Sequence, residues 1–185
     1  NTRTFDYVIR REIDISEGDP INYSKIKQIK KDLNRLPFFS KVEINQNPID
    51  DEYQDIDINV EETQTGTFNV GLSVGSLDGL SFVSGLKEKN INGTGRSLEF
   101  LINTSENNRA FTVNTTEKFY LNSKINHQYS TNYKESDFSK SKSYKLSTFG
   151  LDTSFKYLLA DDIYHTIGLG YSLKDYIVTD SSTVS

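Results

Sequence analysis

Few residues in this sequence have the types and spacing that catalysis or metal binding requires. The chain has no cysteine, and its two histidines, His127 and His165, stand apart, with no spaced pair of carboxylates beside either. Acidic side chains crowd one short segment, which contains Asp50, Asp51, Glu52, Asp55 and Asp57. That segment lacks the alternating ligands and central glycine of a calcium loop. We predict no catalytic, cofactor or metal site, a solvated turn for the acidic segment, and structural roles for the histidines.

The composition argues against several broad classes of function. The net charge is -5 and no basic cluster is present, so a nucleic-acid partner is not expected. No apolar run approaches the roughly 18 residues that a transmembrane helix needs. Strands that cross a bilayer need only about 9–11 residues and keep one face polar, so a membrane location stays compatible with this sequence. Methionine is absent even at position 1, which indicates an internal or processed piece of a longer protein.

The first part of the chain, residues 1–64, begins with two helical patterns. Phe5, Val8 and Ile9 share one face of a short helix, for which Thr2 or Thr4 is the expected cap. The segment YSKIKQIKKDLNRL spaces its apolar residues three or four apart, as one helical face does. These residues are Ile26, Ile29, Leu33 and Leu36.

The second helix has start and stop signals and is followed by two strand patterns. Ser24 is the expected N-cap, and Pro37 ends the helix because the residue before a proline avoids helical geometry. Apolar and polar residues then alternate in SKVEINQ and in DIDINVEE, which predicts a hairpin whose apolar face covers the helices. We expect Phe38 and Phe39 to be core residues where helix, loop and hairpin meet.

After Thr65 the helical period gives way to alternation of apolar and polar residues. About seven segments show it, beginning with TFNVGLSVG and ending with IYHTIGLGYSLKD, each close to the length of a tilted transmembrane strand. Most connectors are short, and residues 132–144 are predicted to form a long polar loop. A soluble β-sandwich also alternates in this way, so periodicity alone leaves both folds open.

Several motifs together resemble the BamA family of outer-membrane protein assembly factors. They are R-R-E with E-G-D shortly after it, L-N-R-L-P-F-F-S-K-V, T-G-T-F-N-V-G and N-I-N-G-T-G. The resemblance covers most of residues 1 to about 120. It implies an α+β POTRA module at 1–64, of the β-α-α-β-β type and lacking its first strand, followed at 65–185 by part of an antiparallel transmembrane β-barrel. The family's barrel has about sixteen strands, so this chain supplies about seven and cannot close.

The resemblance also indicates which residues act. The first barrel strand would offer its open edge to an incoming client strand, and it contains Thr67, Phe68, Asn69, Val70, Gly71, Leu72, Ser73, Val74 and Gly75. A stably paired strand is the alternative, and the sequence does not choose between the two. Arg10, Arg11 and Glu17 match the charged positions of the first-helix region, where the family engages accessory lipoproteins.

The expected function is the folding and insertion of outer-membrane proteins, without an enzymatic step or a cofactor. The expected partners are unfolded outer-membrane proteins, accessory lipoproteins and outer-membrane lipid, with the POTRA part in the periplasm. A two-partner secretion transporter or a TamA-like translocation factor, which share this architecture, is the first alternative. A passive porin and a soluble β-rich binding module are the others.

Overall fold

The computed structural model of the chain describes residues 3–50, 53–76, 79–160 and 163–179. The chain forms two compact units, each of which has most of its contacts between residues within itself. One comprises Asn1–Thr65 and Lys89–Gly95, and the other comprises Gly66–Glu88 and Arg96–Ser185. Among the described residues, no helix is both long enough and apolar enough to span a bilayer.

The first unit begins with helix α1 (Asp6–Arg10), whose start differs from the prediction. Its N-cap residue is Phe5, which makes no side-chain cap, while the Thr4 hydroxyl accepts a hydrogen bond from Asn90 instead. The other expected cap, Thr2, lies outside the described residues. Val8 is fully buried, but Phe5 is 53% exposed, so the prediction that Phe5 shares a helical face with Val8 was wrong. Phe5 precedes the helix in extended conformation and therefore leaves the helical period.

Helix α2 (Tyr23–Asn34) buries the apolar face that its spacing predicts, through Ile26, Ile29 and Leu33. Its cap is Asn22 rather than Ser24. The Asn22 side chain accepts hydrogen bonds from the backbone amides of Ser24 and Lys25 at 3.0 and 3.2 Å. Asparagine is as good an N-cap as serine, and here Asn22 is the residue with the extended backbone that a cap requires.

Strands β1 (Phe39–Pro48) and β2 (Gln54–Glu62) form the predicted antiparallel hairpin. Direct cross-strand partners such as Val42 and Val60 share the face that packs on the helices. Phe38 and Phe39 are 2% and 8% exposed, and their rings meet edge to face with centroids 4.9 Å apart. Their prediction as core residues is confirmed. Burying one such ring contributes roughly 1.5–3 kcal/mol.

The second unit is one antiparallel sheet of seven strands, each paired with its neighbours in sequence. This confirms the predicted number of strands. The strands are β3 (Gly66–Gly75), β4 (Gly79–Glu88), β5 (Ser97–Thr104), β6 (Asn108–Glu117), β7 (Asn126–Asp137), β8 (Tyr144–Ala160) and β9 (Ile163–Val178). Short 3-10 turns lie at Ile91–Gly93 and Tyr120–Asn122.

The predicted long loop at 132–144 is wrong. Strand β7 continues to Asp137, helix α3 (Ser139–Lys142) follows, and β8 begins at Tyr144. Polar residues occupy strand positions here because they pair across the ladder: Asp137 lies opposite Lys145, with an ion pair of 2.8 Å between their side chains. Hydrophilic composition indicated a loop, but cross-strand pairing decided the structure.

Candidate functional site

The predicted client strand is the edge strand of the seven-stranded sheet. All nine of its predicted residues, from Thr67 to Gly75, lie in β3, which pairs with β4 on one side. Within the described residues its other edge has no partner strand. Every residue of β3 is exposed. An open edge of this kind presents backbone N–H and C=O groups to any extended chain that approaches it.

Side-chain packing along β3 is sparse. Phe68, Val70, Leu72 and Val74 are 68%, 57%, 71% and 83% exposed. A Cβ placed on Gly71 would have no atom within 4 Å. Glycine inside a strand weakens its pairing, so β3 is held mainly by its backbone hydrogen bonds to β4.

Apolar side chains line one face of the whole sheet. Because direct cross-strand partners share a face, the pairing defines rows that run across all seven strands. One row is Phe68, Leu86, Phe100, Val113, Thr131, Leu151 and Tyr171. The next is Val70, Ser84, Ile102, Phe111, Tyr133, Phe149 and Leu173. All but Thr131 and Ser84 are apolar or aromatic, so the two rows form a continuous apolar band.

The opposite face is polar and internally hydrogen-bonded. One of its rows is Thr67, Lys87, Glu99, Asn114, Ser130, Asp152 and Gly170. Within it, Glu99 lies 3.3 Å from the Lys87 ammonium and accepts a hydrogen bond from the Asn114 amide at 3.2 Å. The sheet therefore has one apolar face and one polar face.

A polar cluster in the first unit was not predicted from the sequence. The Glu62 carboxylate accepts hydrogen bonds from the backbone amides of Arg3 and Thr4, at 2.8 and 2.7 Å. The buried side chains of Thr4 and Asn90 are joined by a 2.8 Å hydrogen bond in which the Asn90 amide donates. Asn90 Oδ1 in turn accepts from the backbone amide of Gly95 at 2.7 Å. These contacts hold the turn Lys89–Gly95 against the start of α1.

This environment shifts the pKa of Glu62. Partial burial acts to raise the pKa of its carboxyl group, but the hydrogen bonds from Thr4 and from the two backbone amides stabilise the ionised form. The net effect lowers the pKa below its ordinary value. Glu62 is therefore ionised at neutral pH, the state in which it accepts from both amides.

Two glycines allow the turn to approach α1 so closely. The backbone amide of Phe5 donates to the Gly93 carbonyl at 2.9 Å. Gly93 has a φ of 74°, and a Cβ added to it would lie 2.0 Å from the Arg3 carbonyl oxygen. A Cβ on Gly95 would meet the side chains of Arg11 and Val8 at 2.4 and 2.9 Å. In the sequence, the motif N-I-N-G-T-G indicated a turn that contains these two glycines. Its spacing did not indicate that the glycines pack against α1 and the residues before it.

The three predicted accessory-partner residues lie around α1. Arg10 is exposed and forms an ion pair with Asp6, one helical turn away. The pKa of Arg10 is raised mainly by its hydrogen bond to Asp6 and by the charge of Asp6. The charge of Glu17 raises it further, but more weakly. Arg11 lies over the Tyr7 ring, with its guanidinium carbon 5.9 Å from the ring centroid. The structure thus brings these charges together on one surface, and their role as a partner site stays a prediction.

The two histidines lie on different strands, β7 and β9, with β8 between them. His127 Nε2 is 2.8 Å from the Thr153 hydroxyl, and its ring stacks on Phe155 with centroids 4.6 Å apart. His165 Nδ1 is 2.8 Å from the Tyr157 hydroxyl. In the described residues, no group of three or more metal-ligating side chains occurs. Asp51 and Glu52 of the acidic segment lie outside the described residues.

Comparison with known proteins places the first part of the chain. Residues 1–63 match the family model for POTRA, described as "Surface antigen variable number repeat". Residues 1–63 are a POTRA domain. The POTRA domain contains α1, α2 and the β1–β2 hairpin, and the predicted fold class, a POTRA domain followed by antiparallel barrel strands, is confirmed.

The chain as a whole is similar to outer membrane protein assembly factor BamA from several bacteria. It is 33% identical to the protein of Neorickettsia risticii over 94% of this chain and 23% of that protein. It is 30% identical to the protein of Buchnera aphidicola over 93% of this chain and 28% of that protein. The chain thus spans about a quarter of the length of these curated relatives.

Two solved structures have a related fold. The crystal structure of Haemophilus ducreyi BamA lacking POTRA domains 1–3 superposes with a TM-score of 0.78 and 26% identity, covering 94% of this chain and 34% of that one. CdiB from Acinetobacter baumannii superposes with a TM-score of 0.64 and 13% identity, covering 95% and 37%. At that identity the likeness to CdiB shows the fold alone.

Proposed function

We propose that this chain is part of an assembly factor that folds and inserts β-barrel proteins into the outer membrane of bacteria. The observation that carries this proposal is the open edge of β3, in a sheet with one apolar and one polar face. The similarity to proteins named as outer membrane protein assembly factors, at 30–33% identity, supports it.

The apolar band supports a membrane location for the sheet. Its side chains, from Phe68 on β3 to Leu173 on β9, are largely exposed in this chain. In a soluble sandwich such side chains would be buried against a second sheet. A soluble monomer rarely exposes an apolar patch of more than a few hundred Å². In an outer-membrane barrel the apolar face contacts lipid and the polar face contacts water, so neither face is in an unfavourable solvent. In that arrangement the POTRA domain lies in the periplasm.

The mechanism is physical rather than chemical. An unpaired backbone group in hydrocarbon costs several kcal/mol, so a client strand enters the bilayer only if its N–H and C=O groups are bonded. The open edge of β3 supplies those partners by strand addition, which needs little side-chain specificity. Weak side-chain packing around β3 keeps the strand available for exchange.

Site-specific crosslinking tests this function. The chain has no native cysteine, so a single introduced cysteine gives an unambiguous signal. Asn69→Cys probes β3, and Thr112→Cys is a matched control in the same row and on the same face, but in the interior strand β6. We expect a client β-barrel protein carrying a cysteine in its last strand to crosslink to position 69 during folding. Equal crosslinking at position 112 would contradict the proposal.

The same assay separates the main alternative from this function. A translocation or two-partner secretion transporter would crosslink a secreted passenger rather than a membrane client. The relatives reported above with 30–33% identity are both named assembly factors, which favours the membrane client.

We also propose that the α1 surface with Arg10, Arg11 and Glu17 contacts an accessory lipoprotein. Its support is the exposed Arg10, on which the charge of Glu17 acts, together with Arg11 over the Tyr7 ring.

A further inference from the structure

We infer that the turn Lys89–Gly95 clamps the base of the β3–β4 hairpin, so that exchange of partners at the open edge begins at the hairpin tip. This inference rests on the proposed function of β3. Asn90, Gly93 and Thr4 act as positioning residues, since their proposed effect runs through the strands that the turn fixes.

The base of the hairpin is held from both of its strands. Strand β3 starts one residue after Thr65, and β4 ends one residue before Lys89. The Thr65 carbonyl accepts a hydrogen bond from the Lys89 amide at 3.3 Å, which continues the ladder past Gly66 and Glu88. Both residues belong to the compact unit that contains the POTRA domain. The residues that directly precede β3 and directly follow β4 therefore belong to the same compact unit.

The turn itself is fixed in that body by buried polar contacts. Asn90 and Thr4 are 8% and 4% exposed, and they are joined by a side-chain hydrogen bond. A second contact joins the backbone of Phe5 to Gly93, where only glycine fits. Breaking one partner of a buried hydrogen bond leaves the other unsatisfied, so the turn is not easily released.

The tip of the hairpin has fewer partners than the base. Strand β5 pairs with β4 from Phe82 to Glu88. Within the described residues, Gly79, Leu80 and Ser81 of β4 therefore pair with β3 alone. On the other strand of the tip, Val74 is 83% exposed. The tip pairs Ser73–Ser81, Val74–Leu80 and Gly75–Gly79 can thus open without breaking a β4–β5 pair, whereas the pairs near Gly66 cannot.

Amide hydrogen exchange on the protein in lipid nanodiscs tests the clamp. In the unmodified protein we expect amides in the β3–β4 ladder to exchange at least about tenfold faster at the tip, near Val74 and Leu80, than at the base, near Phe68 and Leu86. Equal exchange at tip and base would overturn the inference.

Variants of the turn test which residues cause the difference. Gly93→Ala is expected to raise exchange at the base about tenfold or more, with the tip unchanged. Gly18→Ala is the matched control, because Gly18 also has a positive φ, 87°, but a Cβ there meets no atom within 4 Å. If Gly93→Ala does not fold, Thr4→Val removes the hydroxyl contact and Thr4→Ser restores it. A rise at both ends alike, or no rescue by serine, would overturn the clamp.

Time-resolved crosslinking tests the functional part. Ser73→Cys reports the tip and Thr67→Cys the base, and both side chains lie on the polar face of β3. We expect client crosslinks at position 73 to form before those at position 67, and a lead at position 67 would overturn the inference. Absence of crosslinks at both positions would refute the proposed function of β3, while the exchange experiment would still decide the clamp.

Discussion

Replacing Val113 by lysine should destabilise the sheet in a membrane far more than the same change at its neighbour, Thr112. Val113 lies in the central apolar row, and β6 carries charged residues on the same face at Arg109 and Glu117. Each is four residues from Val113, so the charges are about 26 Å apart along the strand at roughly 3.3 Å per residue. On a strand tilted by about 35–45°, that length covers about 18–22 Å along the bilayer normal, which is most of the apolar band of an outer-membrane barrel, about 25 Å tall.

The magnitude follows from this central position. A lysine facing lipid at the bilayer midplane costs about 2–4 kcal/mol, which is about 30- to 900-fold in the folding equilibrium. Thr112 lies on the polar face between Leu101 and Asn132, so Thr112→Lys should cost less than about 1 kcal/mol. Urea titration of both variants in lipid vesicles measures the two free energies of unfolding. A loss for Thr112→Lys equal to or larger than that for Val113→Lys would refute the assignment of the faces.

Three further predictions concern the POTRA domain. Because folding lowers the pKa of Glu62, its stabilisation is present above its ordinary pKa of about 4.3 and is lost as the pH falls through the lower folded value. Urea titrations from pH 7 to pH 3 should show this loss, and Glu62→Gln should remove that part of the pH dependence. Phe38→Ala should cost about 3–5 kcal/mol of unfolding free energy, and Phe5→Ala, at a half-exposed ring, less than about 1 kcal/mol. Arg10→Glu should weaken binding of the accessory lipoprotein in a pull-down or titration, whereas Arg35→Glu, also an exposed arginine paired with an aspartate in or next to a helix, should not.

Periodicity carried much of the fold because burial follows it directly. The alternation from Phe68 to Val74 fixed a strand with two different faces, and the spacing of Ile26, Ile29 and Leu33 fixed the buried side of α2. The two phenylalanines were placed correctly because no solvated connector favours adjacent aromatic rings. Elements whose structure is determined by burial of apolar side chains can therefore be predicted from a single sequence.

Polar contacts between distant segments could not be predicted in the same way. Asn90 and Thr4 are 86 positions apart, and neither has a local pattern that marks it as buried. The pairing of Asp137 with Lys145 likewise depends on the register of two strands, which turned a predicted loop into a ladder. Caps were misplaced for a related reason, since Asn22 and Ser24 are both good caps and only the backbone conformation chooses between them.

The most direct test of β3 as the client strand is to observe its backbone contacts. An isotope-labelled peptide with the sequence of a client's last strand can be added to the protein in detergent micelles, and intermolecular amide contacts recorded by NMR. We predict contacts from the peptide to the outward-facing backbone between Thr67 and Gly75, in strand register. Binding confined to the β1–β2 hairpin or to the polar face of the interior strands would contradict the account.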